Sequence, residues 1–308
     1  MINSVMKVNY RHCVRILQSL LITSNLFYCD AAFASADSHL KQDVTTLTST
    51  QFYGRKTNTI GAKRAADYIA SRLTSLGYEV QEQTFQYPAT FYQKATARNI
   101  IATKPSACAQ CKKIIFTAHY DHLGQRGTKL YPGANDNASG VAALLYLAAY
   151  FADKPHQNQL MFVATDAEEN GLHGSNYLVS QLNSADIALN INLDMLVVNK
   201  RKPRIYAFLD GQSIAQYKTA ITRLSDENIT FFATSSSARL NRLFDLNVDW
   251  RRASDHYSFA KAGVPYIYFG MGHDKHHHQP SDTLEHIDFR LFEHAVSKIA
   301  EFVSALTR

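Results

Sequence analysis

The sequence predicts an α/β fold: a single domain with a mostly parallel, mixed central sheet and helices on both faces. Three observations predict it. Segments with strand character alternate with segments of helical periodicity through most of the chain. Several strand segments, such as KIIFTAHY and QLMFVAT, are apolar without interruption, as strands covered on both faces are. Acids and histidines also recur just after such segments, where ligands bind in open α/β sheets.

The elements follow in order. AKRAADYIASRLTSLG places Ala65, Tyr68, Ile69, Arg72, Leu73 and Leu76 at helical spacing, and Gly77 stops the helix. YEVQEQTFQY alternates as a strand, RNIIATK forms the next, and KIIFTAHY reads as a buried one. ASGVAALLYLAAYFAD is a strongly apolar helix. QLMFVAT is a buried strand, GSNYLVSQL begins a helix, and ALNINLDML and RIYAFL are strands. SIAQYKTAITRLSDEN is predicted as a helix, VPYIYFG as a strand and FRLFEHAVSKIAEFVSAL as a long closing helix. Residues 230–252 carry no clear period, and a lid or a specificity insert is expected there. No repeat or linker divides the chain after its N-terminal segment.

The 308 residues are 46% hydrophobic and 19% charged, which favours a packed core over disorder. Part of the formal net charge of +6 comes from Lys7, Arg11 and Arg15. The one basic cluster elsewhere, NKRKPR, reads as a solvated turn, so no nucleic-acid partner is expected. The three N-terminal basic residues precede ILQSLLITSNLFY and the small residues AFA, the pattern of an export signal over residues 1–34 with cleavage before Ser35. The alternative is an amphipathic helix that stays on the protein. Gln18, Ser19, Thr23, Ser24 and Asn25 make the segment too polar to span a bilayer. A lipid anchor at Cys29 is disfavoured by the bulky LFY before it. The expected organisation is therefore a signal over 1–34 and a single domain over 35–308, exported to the periplasm or beyond. In that setting Cys108 and Cys111 of CAQC are expected to form a local disulfide.

Five stretches carry the chemistry: HYDH (His119 to His122), GANDNASG (Gly133 to Gly140), DAEENGLHGS (Asp166 to Ser175), NLDM (Asn192 to Met195) and HHHQPSDT (His276 to Thr283). Each alone has a structural reading. Asp136, Asn137 or Ser139 could cap the following helix, and Glu168 and Glu169 could lie in a solvated turn. Together they supply imidazoles and carboxylates with no thiolate. That donor set suits zinc or a similar first-row metal in a catalytic site. One shared carboxylate with two end ligands per ion is what a co-catalytic pair requires.

These stretches, in this order, resemble the co-catalytic zinc aminopeptidases (metallopeptidase family twenty-eight), which include secreted bacterial leucyl aminopeptidases. The resemblance runs from about Gly61 to the closing helix. It implies two zinc ions per chain, with His119 and Asp194 on the first, Glu169 and His278 on the second, and Asp136 bridging them. It implies Glu168 as general base and Asp121 as acceptor of a hydrogen bond from the other nitrogen of His119, fixing its tautomer. Among the consecutive histidines, the family's ligand stands just before x-P-S-D-T, which selects His278. His122 is left as a bystander. ASDHYSF also looks like a family motif, and Asp255 is given a supporting role there. The implied partners are peptides with a free N-terminus; oligomeric state and the preferred N-terminal residue have no signal in the sequence.

Other readings stay open. A glutaminyl cyclase is a relative that uses one zinc, although GANDNASG and the Glu168–Glu169 pair look more like the peptidases. A carboxypeptidase of the broader clan and a non-catalytic binding domain, of which the transferrin receptor ectodomain is an example, are the others. The absence of G-x-S-x-G and of H-E-x-x-H argues against a serine hydrolase and a thermolysin-like protease.

Overall fold

The computed structural model describes residues 39–105, 108, 110–197, 201 and 203–307. The expected signal over 1–34, and Asn199, Lys200 and Lys202 of the basic cluster, lie outside the described residues. Residues Leu40–Arg308 form one unit by internal contacts. Among the described residues, no helix is long and apolar enough to cross a membrane.

The sheet is built around the apolar strands. β3 (Lys113–His119) lies between β6 (Gln159–Thr165) and β7 (Ile187–Leu193), parallel to both. β10 (Tyr266–Gly270) extends this parallel block beside β7. On one side, β1 (Glu79–Pro88) and β2 (Lys94–Thr103) form a hairpin whose β2 joins β6 antiparallel. On the other, β8 (Arg204–Leu209) runs against β10, and β9 (Thr230–Thr234) pairs parallel with β8. The eight-stranded order is β1-β2-β6-β3-β7-β10-β8-β9. The expected mixed, mostly parallel sheet is thus a parallel centre with reversed strands toward both edges. β4 (Gly124–Arg126) and β5 (Lys129–Tyr131) form a separate small hairpin.

Helices cover both faces because the central strands are apolar on both. On one face, α1 (Ile60–Ser75) and α2 (Gly140–Phe151) pack against the strands, and the closing helix packs against α2. Phe116 stacks on Phe162 at 4.7 Å, and Tyr78 meets Phe162 edge-on at 5.4 Å. α2 is buried almost all round, consistent with its lack of a polar stripe. On the other face, α3 (His173–Ser180) contributes Leu178, and α6 (His256–Lys261) contributes Phe259, to a core with Ile101, Ile115, Met161 and Val163.

α4 (Gly211–Thr222) is shorter than its apolar pattern suggested. It starts at Asp210, whose carboxylate accepts from the N–H of Gln212 and Ser213 at 2.8 and 2.9 Å. Asp226 then turns the chain by accepting from the N–H of Asn228 and Ile229. Residues 230–252, without a clear period in the sequence, form β9, α5 (Ser237–Phe244) and a loop. α7 (Phe289–Leu306) closes the chain, starting from Asp288, which accepts from the N–H of Leu291.

Candidate metal centre

The parallel centre brings the carboxyl ends of β3, β6, β7 and β10 to one edge of the sheet. His119 is the last residue of β3; Asp166 follows β6, Asp194 follows β7, and Met271 to Asp282 follow β10. His119 Nε2 lies 3.4 Å from Asp136 Oδ1 and 3.6 Å from Asp194 Oδ1. On the other side of Asp136, His278 Nε2 lies 3.2 Å from Oδ2 and 3.1 Å from Glu169 Oε2. Asp136 is therefore shared between two clusters.

Asp136 is held by a network of polar side chains. The carboxylate of Asp282 accepts from the N–H of Asn135 and Asp136 at 2.8 and 2.9 Å. Asn137 ties the loop to the end of β7: its amide donates to the Leu193 carbonyl and its oxygen accepts from the N–H of Met195. Ser139 Oγ accepts from Leu196 N–H, and Asn135 Oδ1 from Val197 N–H. These contacts explain why an N-D-N-x-S stretch precedes a buried helix: its polar side chains replace backbone pairing where the loops meet. Arg55, fully buried, donates to the carbonyls of Tyr120, Leu47, Pro132 and Gly133 and so joins the His119 and Asp136 loops. Burial lowers its pKa to about 10, while Asp136, Asp282, Asp121 and Glu169 pull upward, so it remains a cation at neutral pH.

Asp121 does something other than expected. His119 Nδ1 is 3.2 Å from the backbone carbonyl of Asp121, its hydrogen-bond acceptor, and 3.7 Å from the carboxylate. The carboxylate instead accepts from the N–H of Glu168 and Glu169 at 3.1 and 3.2 Å, and from Thr57 Oγ1 at 3.1 Å. The side chain turns to the adjacent loop because two unpaired N–H groups there need an acceptor, while the carbonyl is already beside the ring. Ala167, at φ +58°, begins that loop, and left-handed Met195 and His278 (φ +56° and +57°) also lie at the site. Such conformations persist where surrounding contacts impose them, and they cluster at functional sites.

The donor set fits zinc. Ligands about 2.0–2.1 Å from a tetrahedral ion stand about 3.3 Å apart, close to the spacings seen in both clusters. Asp136 Oδ2 has imidazole nitrogens at 3.2, 3.3 and 3.6 Å, yet accepts a hydrogen bond from none of them, and buried Asp194 Oδ1 also has no such partner. These atoms converge without pairing, as groups arranged about a common ion do. Burial opposes ionisation of Asp136, but His122, His277, His278 and His119 outweigh it and hold its carboxyl well below the ordinary range. Glu169 is likewise held at about 2, with burial outweighed by His122 and His278. Glu168 goes the other way: burial, reinforced by Asp194, Asp255 and Glu169 against His119, raises its carboxyl well above the ordinary range.

The remaining expected residues separate. His276 turns away to Ser281 and stacks on His286, whereas His277 Nε2 stays 3.3 Å from Asp136 Oδ2. Asp255 is buried and absent from the cavity wall; its Oδ2 accepts from Thr165 Oγ1 beneath the β6 end. Cys108 and Cys111 form a disulfide before β3. His122, passed over in the sequence, is fully buried beside Glu169, with Nδ1 3.0 Å from Oε1.

A cavity of about 390 Å³ opens beside the donors, walled by Met195, Leu246, Val248, Trp250, Ala253 and Tyr268. Its wall comes largely from the loop after α5, which Asn241 secures: its Oδ1 accepts from Trp250 Nε1 at 2.8 Å and its amide donates to the Val248 carbonyl. His256 secures the same loop from below, its Nε2–H donating to the Trp250 carbonyl at 2.9 Å. Burial pushes His256 down to about 4 from 6.5, against the Trp250 bond. Below about pH 6.5 the unfolded chain takes up a proton that the folded chain refuses until about pH 4. Stability is expected to fall across that window by about 3 kcal/mol from this group. Denaturant titrations between those pH values should give His256→Phe the shallower dependence, and equal slopes would refute the assignment.

The family model for peptidase family M28 matches residues 99–303. The chain belongs to peptidase family M28. Aminopeptidase YwaD of Bacillus subtilis is 32% identical over 220 residues, covering 66% of this chain and 44% of the relative. The chain spans about half the length of the curated relatives it matches. Among solved structures, BSAP, a zinc aminopeptidase from Bacillus subtilis, superposes with a TM-score of 0.72 at 18% identity, covering 88% of this chain and 95% of that one. The Porphyromonas gingivalis glutaminyl cyclase follows with a TM-score of 0.67 at 19% identity, covering 88% and 98%. Those two likenesses are of fold. The M28 match contains every donor atom described above, whereas Arg55 and Thr57, which brace the donors, precede it.

Proposed function

We infer that this M28 chain is an exported zinc aminopeptidase that removes apolar residues from peptides with a free N-terminus. The observation that carries this is the pair of donor clusters sharing Asp136 beside an apolar cavity. His119, Asp194 and Asp136 would hold one zinc ion, and Asp136, Glu169 and His278 the other. His278 is favoured over His277 because, of the two, it is the one that reaches both Asp136 and Glu169. Zinc bound there would supply Lewis acidity, polarising a carbonyl oxygen and lowering the pKa of a bound water to about 7.

The chain's own residues supply the rest. Glu168 accepts the proton of the attacking water and passes it to the leaving amine. Asp121 keeps Glu168 and Glu169 diverging from one turn by accepting both of their N–H groups. The acidic rim favours a substrate that brings a free α-amine, and Trp250, Val248 and Leu246 favour an apolar side chain beside it. The disulfide is in keeping with an oxidising compartment.

A panel of aminoacyl 4-nitroanilides tests this. Leucyl and phenylalanyl substrates should be cleaved, their N-acetyl forms should not, and Trp250→Ala should erode the preference for them over aspartyl. Cleavage of acetylated substrates would refute exopeptidase action. Cyclisation of a glutaminyl peptide without hydrolysis would support the second reading, to which the likeness of fold to the cyclase points.

A further inference from the structure

We propose that His122 is a positioning residue for Glu169: it holds one oxygen of that carboxylate so that the other faces Asp136 and His278. The affinity of the second metal position then depends on an imidazole that is not itself a ligand. This rests on the reading of Glu169 as a metal ligand.

The two oxygens of Glu169 have different neighbours. Oε2 is 3.1 Å from His278 Nε2, and Oε1 is 3.0 Å from His122 Nδ1. The His122 contact has the distance and the angle of a hydrogen bond. It therefore differs from the approaches of His122, His277 and His278 to Asp136 Oδ2, which pair with nothing. A carboxylate offers only acceptors, so the hydrogen sits on His122 Nδ1. A ring nitrogen carrying that hydrogen has no lone pair left for a metal.

His122 is held firmly enough for the task. Its N–H donates to the Arg55 carbonyl at 3.2 Å. Its ring lies against Gly133, where a Cβ would stand 2.6 Å from His122 Cγ and Cδ2. Glu169 is thus fixed from both ends by neighbours in HYDH: Asp121 accepts its N–H and His122 donates to its carboxylate. Hydrogen bonds to ligating carboxylates order the ligand before the metal arrives. Without His122, Glu169 could rotate about its terminal bond, and that freedom would be lost on binding.

Zinc titration of the metal-free protein against a chromophoric chelator tests this, with His122→Leu and His122→Asn compared to wild type. Asparagine places an amide N–H near the Nδ1 position but is a poor zinc ligand. In His122→Leu the ion held by His119 and Asp194 should be unaffected and the second should weaken by about 10–100-fold. His122→Asn should bind both within a few-fold of wild type. Thermal unfolding of the metal-free variants reports whether they fold. If the leucine variant does not, His122→Gln, whose amide sits nearer the Nε2 position, carries the same contrast with asparagine. Unchanged second-site affinity in the leucine variant would overturn the proposal. An asparagine variant as weak as leucine would overturn it in favour of direct ligation. Failure of the wild type to bind a second zinc would instead overturn the reading of Glu169 on which it rests.

Discussion

Glu168→Gln is expected to lower kcat by about 10²–10⁴-fold while zinc content and KM stay near wild type. The substitution keeps the shape of the side chain and removes only its ability to accept a proton. Glu168 is assigned this role, and its neighbour a ligand's role, because Glu168 lines the cavity while Glu169 Oε2 lies 3.1 Å from His278 Nε2. Glu169 is paired with His122 and His278, which hold it ionised. Burial, opposed by His119 and reinforced by Asp194, Asp255 and Glu169, raises the Glu168 carboxyl above its ordinary range. Steady-state kinetics on a leucyl amide, with metal analysis of the same sample, check it. Wild-type turnover would remove Glu168 from the mechanism, and lost zinc would mark it as a ligand instead.

Asp136→Asn is expected to abolish stable binding of at least one of the two ions and bring activity to that of chelator-treated wild type. Asp136 places Oδ1 3.4 Å from His119 and Oδ2 3.2 Å from His278, so one carboxylate serves both clusters. An amide presents one oxygen and one nitrogen with its lone pair delocalised, so at most one cluster keeps a donor. The loop itself should survive, because the contacts that hold it are made by Asp282 to the backbone and by Asn137 and Ser139. Zinc content after gel filtration, with thermal unfolding as the control for folding, distinguishes the outcomes. A variant that retains two zinc ions would refute the bridging role.

The central strands were legible because uninterrupted apolar runs such as KIIFTAH and QLMFVAT have few alternatives once helices flank them. Residues 230–252 were not, because their order comes from distant partners: Asn241 holds Val248 and Trp250, and His256 holds the Trp250 carbonyl. The donors were legible as a set of residue types in a recurring order. The partners that hold them were less so. Arg55 sits in no motif, and its four carbonyl acceptors come from segments up to 78 residues away. Asp121 carried the expectation of a carboxylate bond to His119, and the contact is made by its carbonyl.

The sequence by itself determined the fold class, the donor inventory and the order in which strand ends deliver it, because apolar periodicity and residue chemistry are local properties. Only the tertiary structure decided which oxygen faces which nitrogen. It separated His278, which reaches both Asp136 and Glu169, from His276, which turns away to Ser281 and His286. It also moved His122 from bystander to the side of Glu169. Adjacent histidines are alike in sequence; what distinguishes them is the direction each side chain takes, set by backbone conformation and by packing against residues far along the chain.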